Sequence, residues 1–193
     1  MLTRMARTGA YPGSFDPPTV AHLAVAAAAL EQAGIDQLDL VVSREALGKG
    51  AAAAPTLAHR IEVLEDIAAN RTGLGVRVTD ARLIVDVARG YDVVVMGADK
   101  WAQVVDPAWY GSVEARDAVL EQLPEVYVVP RAGDRPAGVR LLEVGGHLAE
   151  VSSTLARAGQ LHLMVPEAAA FDARTGAWSD PDRYRAEWAG RAG

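Results

Sequence analysis

Near the start of the chain, Tyr11-Pro12-Gly13-Ser14-Phe15-Asp16-Pro17-Pro18-Thr19-Val20-Ala21-His22 gathers a glycine, hydroxyls, a carboxylate and an imidazole just ahead of an alanine- and leucine-rich run. Gly13 lets the backbone turn sharply and approach a ligand. Thr19 and His22 are three residues apart and share one face at the start of the helix that the run predicts. A helix start carries unpaired N–H groups and partial positive charge, so a hydroxyl and an imidazole beside it make a site for an anion, phosphate above all. The plainer reading is a proline-rich turn with an incidental histidine, and for a lone histidine that reading is preferred.

A second cradle of the same kind lies far along the chain. Val151-Ser152-Ser153-Thr154-Leu155-Ala156-Arg157 puts hydroxyls at a helix start and an arginine one turn in, a set suited to the outer phosphates of a triphosphate. Taken alone it reads as an ordinary cap with a solvated arginine. Gly97-Ala98-Asp99 follows an apolar run expected to be a central strand, and ligands of open α/β sheets bind at the carboxyl ends of strands. Trp101 and Trp109 follow; stacking on a substrate ring and packing over a loop are equally compatible with them. Lys49, one of two lysines, falls in the loop after the second expected strand, and Arg60 near the start of the next helix is read as a helix-surface residue. His59, His147 and His162 do not have metal-ligand spacing, so no protein-held metal is expected.

The elements that must position these groups alternate short β-rich runs with helical runs, the pattern of a parallel sheet wrapped by helices. Strands are predicted to end near Tyr11 and to cover Leu38 to Val42, Val76 to Thr79, Tyr91 to Met96, Val126 to Val129 and Val139 to Val144. Helices are predicted over Val20 to Ala33, Leu57 to Ala69, from Asp80 through Ala88, over Val113 to Gln122 behind a Ser112 cap, and through Arg157 behind Ser152 or Ser153. Gly97 to Gly111 and Arg131 to Gly138 read as loops, and Phe171 to Pro181 as irregular. The fold class is therefore α/β, a doubly wound, Rossmann-like, mostly parallel sheet with helices on both faces.

With 193 residues, half of them hydrophobic, one domain over residues 1–193 is expected, its last stretch, 172–193, forming either a tail or a docked helix. A formal net charge of −6 argues against a nucleic-acid partner. The absence of cysteine excludes thiolate chemistry and disulfides. No apolar run approaches a membrane span, and Met1 to Ala10 is too short and polar for a signal peptide, so no membrane partner and a cytoplasmic location are expected. Homo-oligomerisation is left open.

The first segment resembles the GxFDPxH-x-G-H signature of the nucleotidyltransferase superfamily that includes nicotinate-mononucleotide and phosphopantetheine adenylyltransferases, through Gly13, Phe15, Asp16, Pro17 and His22. Thr19 stands where many members have histidine and is similar to the threonine of phosphopantetheine adenylyltransferases; Ala21 departs from the glycine of the pattern. The second segment resembles ISSTxxR, and Val128-Val129-Pro130-Arg131-Ala132-Gly133 resembles a V-x-R-x-G run that tilts the substrate toward a mononucleotide. The resemblance implies adenylyl transfer from ATP to a small phosphate-bearing acceptor. It implies catalytic roles for His22, Thr19, Lys49 and Arg157, with Lys49 on the acceptor phosphate. Nucleotide contacts are expected from Gly13, Ser14, Phe15, Gly97, Asp99, Ser152, Ser153 and Thr154, acceptor contacts from Trp101, Trp109 and Arg131, and Mg2+ carried by the ATP phosphates. A phosphopantetheine adenylyltransferase, a CTP-dependent cytidylyltransferase and a non-catalytic nucleotide-binding paralogue are the alternatives.

Overall fold

The computed structural model describes residues 5–44, 54–131, 133–148 and 150–188. Its framework is a six-stranded sheet: β1 Thr8–Pro12, β2 Gln37–Ser43, β3 Leu74–Thr79, β4 Val93–Gly97, β5 Glu125–Val129 and β6 Arg140–Leu141. All neighbours pair parallel, in the order β3-β2-β1-β4-β5-β6. The chain first builds outward from β1 to β3, then returns to the other side of β1. The order therefore reverses between β1 and β4, the place where open α/β sheets hold ligands.

Side chains of a strand alternate between faces, and this divides the helices. Leu38, Leu40 and Val42 of β2, with Val93 and Val95 of β4, meet α1 (Val20–Gln32), α2 (Leu57–Ala69), α6 (Ser153–Arg157), α7 (Pro166–Thr175) and α8 (Pro181–Glu187). Ala10, Val41, Val94, Met96 and Val128 face the other way, toward α3 (Ile84–Val87), α4 (Ala98–Val105) and α5 (Val113–Leu120). The alanine run of α1 has a packing role: Ala26, Ala28 and Ala29 are buried, and their small side chains bring the helix backbone close to the sheet.

Several boundaries differ from the sequence expectation for local reasons. The stretch after β4 is not a loop; Gly97 is the N-cap of α4, and Asp106 caps a short 3₁₀ turn over Pro107–Trp109. Leu83 rather than Asp80 begins α3, and β6 contains two residues rather than six. The segment 166–188 is regular. Pro166 starts α7, Gly176 ends it in the left-handed region at φ 71°, and Asp180 caps α8 by accepting the Arg183 N–H. Phe171, Ala177, Trp178 and Tyr184 of this segment are buried in the same cluster as α2 and β2.

One polar junction fastens α8 to α2. The Tyr184 hydroxyl, fully buried, accepts the Thr56 N–H at 2.9 Å and lies 2.6 Å from Nδ1 of His59, to which its single proton can be given. Substituting Tyr184→Phe leaves both groups buried without that partner and is expected to lower the unfolding free energy by about 1–3 kcal/mol. Urea denaturation checks this; a change below roughly 0.5 kcal/mol, the size of an ordinary surface substitution, would show that the junction is not a fastening point.

Candidate phosphate-binding site

The site lies where the sheet order reverses. β1 runs into the loop that carries the first motif, β4 into the start of α4, and β5 into Pro130 and Arg131. Phe15 is the anchor of the first loop. It is 1% exposed, sits at φ 45°, and meets the ring of Tyr11 edge-on at 5.5 Å and that of His22 at 5.1 Å. A non-glycine residue at positive φ is strained and persists only where surrounding packing compels it. Gly13 follows from the same packing: a Cβ there would fall 2.8 Å from the Phe15 ring. Its requirement therefore includes an aromatic neighbour, beyond the sharp turn and ligand approach that its place in the sequence implies.

Arg60 supports this loop from below and is not the surface residue expected from sequence. One guanidinium nitrogen donates to the Ser14 carbonyl at 3.1 Å, while Nε is buried with no hydrogen-bond partner among the described residues. Burial pulls its pKa down from the ordinary value, opposed by the charges of Asp16 and Tyr184. The spacing carries the signal: Arg60 lies three, four and seven residues before the buried Val63, Leu64 and Ile67 and so shares their face.

His22 occupies the third position of α1, and its Nδ1 accepts the Thr19 N–H at 2.9 Å, with the Thr19 hydroxyl 2.8 Å away. A backbone N–H can only donate, so Nδ1 is the acceptor and the neutral ring carries its proton on Nε2. Burial, with a further contribution from the Arg131 charge, lowers the His22 pKa to about 4. At neutral pH the residue is thus an uncharged donor through Nε2. Thr19, expected as a second phosphate donor, is 0% exposed, and its hydroxyl has the His22 ring as partner. In this conformation it orients the imidazole and does not itself face solvent.

The second motif docks on the first. Ser152 caps α6 by accepting the Leu155 N–H, and Ser153 donates to the Pro17 carbonyl at 2.8 Å. Arg157 donates to the Asp16 carbonyl, while Thr154 lies exposed with its hydroxyl 3.4 Å from the same guanidinium. The Val165 N–H then reaches the Pro18 carbonyl at 3.2 Å. Arg157 and His22 are therefore attached to Asp16 and Thr19, whose Cα atoms can be no more than about 11 Å apart along the chain. Ser152 and Ser153, expected as nucleotide donors, spend their hydroxyls on the protein here.

On the far side of the reversal, Gly97 borders open space: a Cβ added to it would meet nothing within 4 Å. Asp99, in the first turn of α4, pairs with Arg131 at 3.2 Å, and the Arg131 charge also reaches Tyr11 and His22. Of the three expected acceptor contacts, Arg131 is the one whose charge acts on residues of the first motif. Trp101 is partly buried and packs against the apolar cluster of Val94, Met96, Val104 and Val128. Trp109 is half exposed in the 3₁₀ turn. Lys49 lies outside the described residues. Among the described residues no group of three or more His, Cys, Asp or Glu could hold a metal, and no helix is long and apolar enough to cross a membrane.

A parallel sheet whose order reverses between β1 and β4, with helices on both faces and α6 docked on the loop that follows β1, defines a Rossmann-like α/β protein. Residues 10–159 match the model of the cytidylyltransferase-like family, so the chain belongs to that family and is a nucleotidyltransferase. Among solved structures it is similar to the nicotinic acid mononucleotide adenylyltransferase of Plasmodium falciparum complexed with APC, at 14% identity and a TM-score of 0.64 over 90% of this chain and 97% of that one. At that identity the likeness establishes the fold. No curated protein matches the chain by sequence.

The depressed His22 pKa has a consequence for stability. The unfolded chain takes up a proton near pH 6.5 and the folded site only near 4, so the unfolded state binds more protons between those values. His22 therefore contributes stability that is complete above about pH 6.5 and is lost as the pH falls toward about 4. In His22→Asn, where an amide oxygen can still accept the Thr19 N–H, the loss of stability across that window should be shallower than in the wild type. Denaturant titrations at several pH values read this, and parallel pH profiles for the two proteins would contradict it.

Proposed function

We propose that this nucleotidyltransferase transfers the adenylyl group of ATP to a mononucleotide such as nicotinate mononucleotide, releasing pyrophosphate by direct in-line attack. The observation that carries the reading is the attachment of His22 and Arg157 to the two ends of the short segment Asp16 to Thr19. Two phosphate-seeking groups, one neutral and one cationic, are thus brought to a single stretch of backbone, as a polyphosphate chain requires.

An acceptor phosphate monoester has a second pKa near 6 and is largely a dianion at neutral pH, so its oxygen attacks the α-phosphorus without a base. The bond from the α-phosphorus to the bridging oxygen breaks, and pyrophosphate leaves with the electron pair. What remains for the protein is alignment and charge stabilisation. In this reading Nε2–H of His22 donates to the α- and β-phosphate oxygens, and Arg157, with Thr154 beside it, takes the outer phosphates. Ser152 and Ser153 hold the second helix start in place, and Thr19 fixes the histidine tautomer. Gly97 leaves room for the nucleoside, and Arg131, held by Asp99, meets the acceptor. Mg2+ would be carried by the ATP phosphates, where it would help neutralise their charge, and no residue of this chain is assigned to hold it.

The family's description and Thr19 favour a second reading, with CTP as donor or phosphopantetheine as acceptor. A panel of ATP and CTP against nicotinate mononucleotide and phosphopantetheine, read by pyrophosphate release, separates them; release with ATP and the mononucleotide is expected. Binding without release across the panel would point to a nucleotide-binding protein that no longer turns over. Within the productive pair, His22→Asn keeps an acceptor for Thr19 but loses the Nε2 donor, and kcat should fall on the order of 100-fold or more. A folded variant with near-normal kcat would remove His22 from the mechanism.

A further inference from the structure

Helices α7 and α8 lie beyond residue 159, where the family match ends, yet they deliver one side chain to the phosphate loop. Trp178 is 2% exposed, and its indole N–H donates to Oδ1 of Asp16 at 2.7 Å. The tryptophan is itself rigidly held. Asp172, also buried, accepts the N–H groups of Trp178 at 2.7 Å and of Ser179 at 3.0 Å, just after the left-handed turn at Gly176. The other oxygen of Asp16, Oδ2, stands 3.7 Å from the guanidinium of Arg157, which donates to the Asp16 carbonyl instead. At that separation the two groups form an ion pair without a hydrogen bond, so the carboxylate attracts Arg157 toward the loop but does not engage its N–H groups directly. A carboxylate free to rotate would close on the guanidinium as a bidentate, charge-assisted pair, which an incoming phosphate would then have to break.

We propose that Trp178 is a positioning residue of the nucleotide site: its N–H fixes Asp16 so that Arg157 stays available to the triphosphate. The inference rests on the reading of Arg157 as a phosphate contact. It makes Trp178, in the turn between α7 and α8, act through Asp16 on the affinity for ATP and not on the chemical step.

The test measures ATP binding by calorimetry, together with KM and kcat, in the full chain. Trp178→Phe should weaken ATP binding and raise KM about tenfold, the size of one charge-assisted hydrogen bond, while kcat at saturation is retained. Tyr184→Phe loosens the same helices without touching Asp16 and should leave ATP affinity at the wild-type value. In an Asp16→Asn background no anion remains to capture Arg157, so adding Trp178→Phe should change Kd by less than about twofold. Wild-type affinity in Trp178→Phe, an equal loss in Tyr184→Phe, or an undiminished loss in the Asp16→Asn background each overturns the proposal. Should Trp178→Phe not fold, benzothienylalanine at position 178, which replaces the N–H by sulfur and keeps the ring shape, carries the same test. If the wild type binds neither ATP nor CTP, the nucleotide reading of the site fails and this inference with it. If the wild type binds and Trp178→Phe binds equally, only the positioning role fails.

Discussion

Asp16 is the point at which distant parts of the chain are held to one another. Its carboxylate accepts the Trp178 indole N–H, its carbonyl accepts from Arg157, and its charge acts on Arg60, which in turn supports the Ser14 carbonyl next to it. These partners come from α8's approach, from α6 and from α2, elements far apart in sequence. A loop held at one residue by all of them has little freedom to choose its shape. The strain of Phe15 at φ 45° is therefore sustained by its surroundings, and the aromatic stack of Tyr11, Phe15 and His22 follows from it. Where the loop goes, the imidazole goes.

The sheet supplies what the loop cannot. Parallel strands place their carboxyl ends on one edge, and the reversal between β1 and β4 separates the helices that follow them, leaving a crevice into which α1 and α4 both begin. Gly97 at the start of α4 borders open space, and the Asp99–Arg131 pair links the start of α4 to the segment after β5. The two faces of the sheet are unequal. One carries α1, α2 and the C-terminal helices over a core rich in large side chains, and the other carries shorter helices over a smaller set. The residues that hold the phosphate loop all come from the better-packed face.

Much of this was legible in the residues themselves. Periodicity and apolar runs located α2 at its observed limits and placed β4 as a central strand, and the two motifs named the segments that meet. What escaped was set by tertiary contact. Nothing local marks Trp178 as a partner of Asp16, 162 residues away, because a hydrogen bond between distant segments has no period. Gly13 was correctly singled out, but its neighbour is an aromatic ring that the backbone must fold back to supply. The packing of Trp101 could not be read until the helix over Ala98–Val105 gave it a face, since two residues along a helix turn a side chain to nearly the opposite side from Asp99. Arg60 differs, because its helical phase with Val63, Leu64 and Ile67 is present in the sequence even though its charge points to the surface.

The neutral state of His22 fits the chemistry proposed for the crevice better than a permanent cation would. A charged imidazolium would bind the triphosphate tightly in its ground state, and binding shared equally by ground and transition states does not raise kcat. A ring kept neutral by burial and by Arg131 donates one hydrogen bond through Nε2, and its tautomer is fixed because the Thr19 N–H already occupies Nδ1. As negative charge grows on the transferring and departing phosphate oxygens, that bond strengthens and the protonated form becomes more favourable. The contribution is therefore largest where the charge is greatest. The buried Thr19 serves that proposed chemistry through its N–H on Nδ1, because without it the ring could exchange donor for acceptor at the position where a donor is needed.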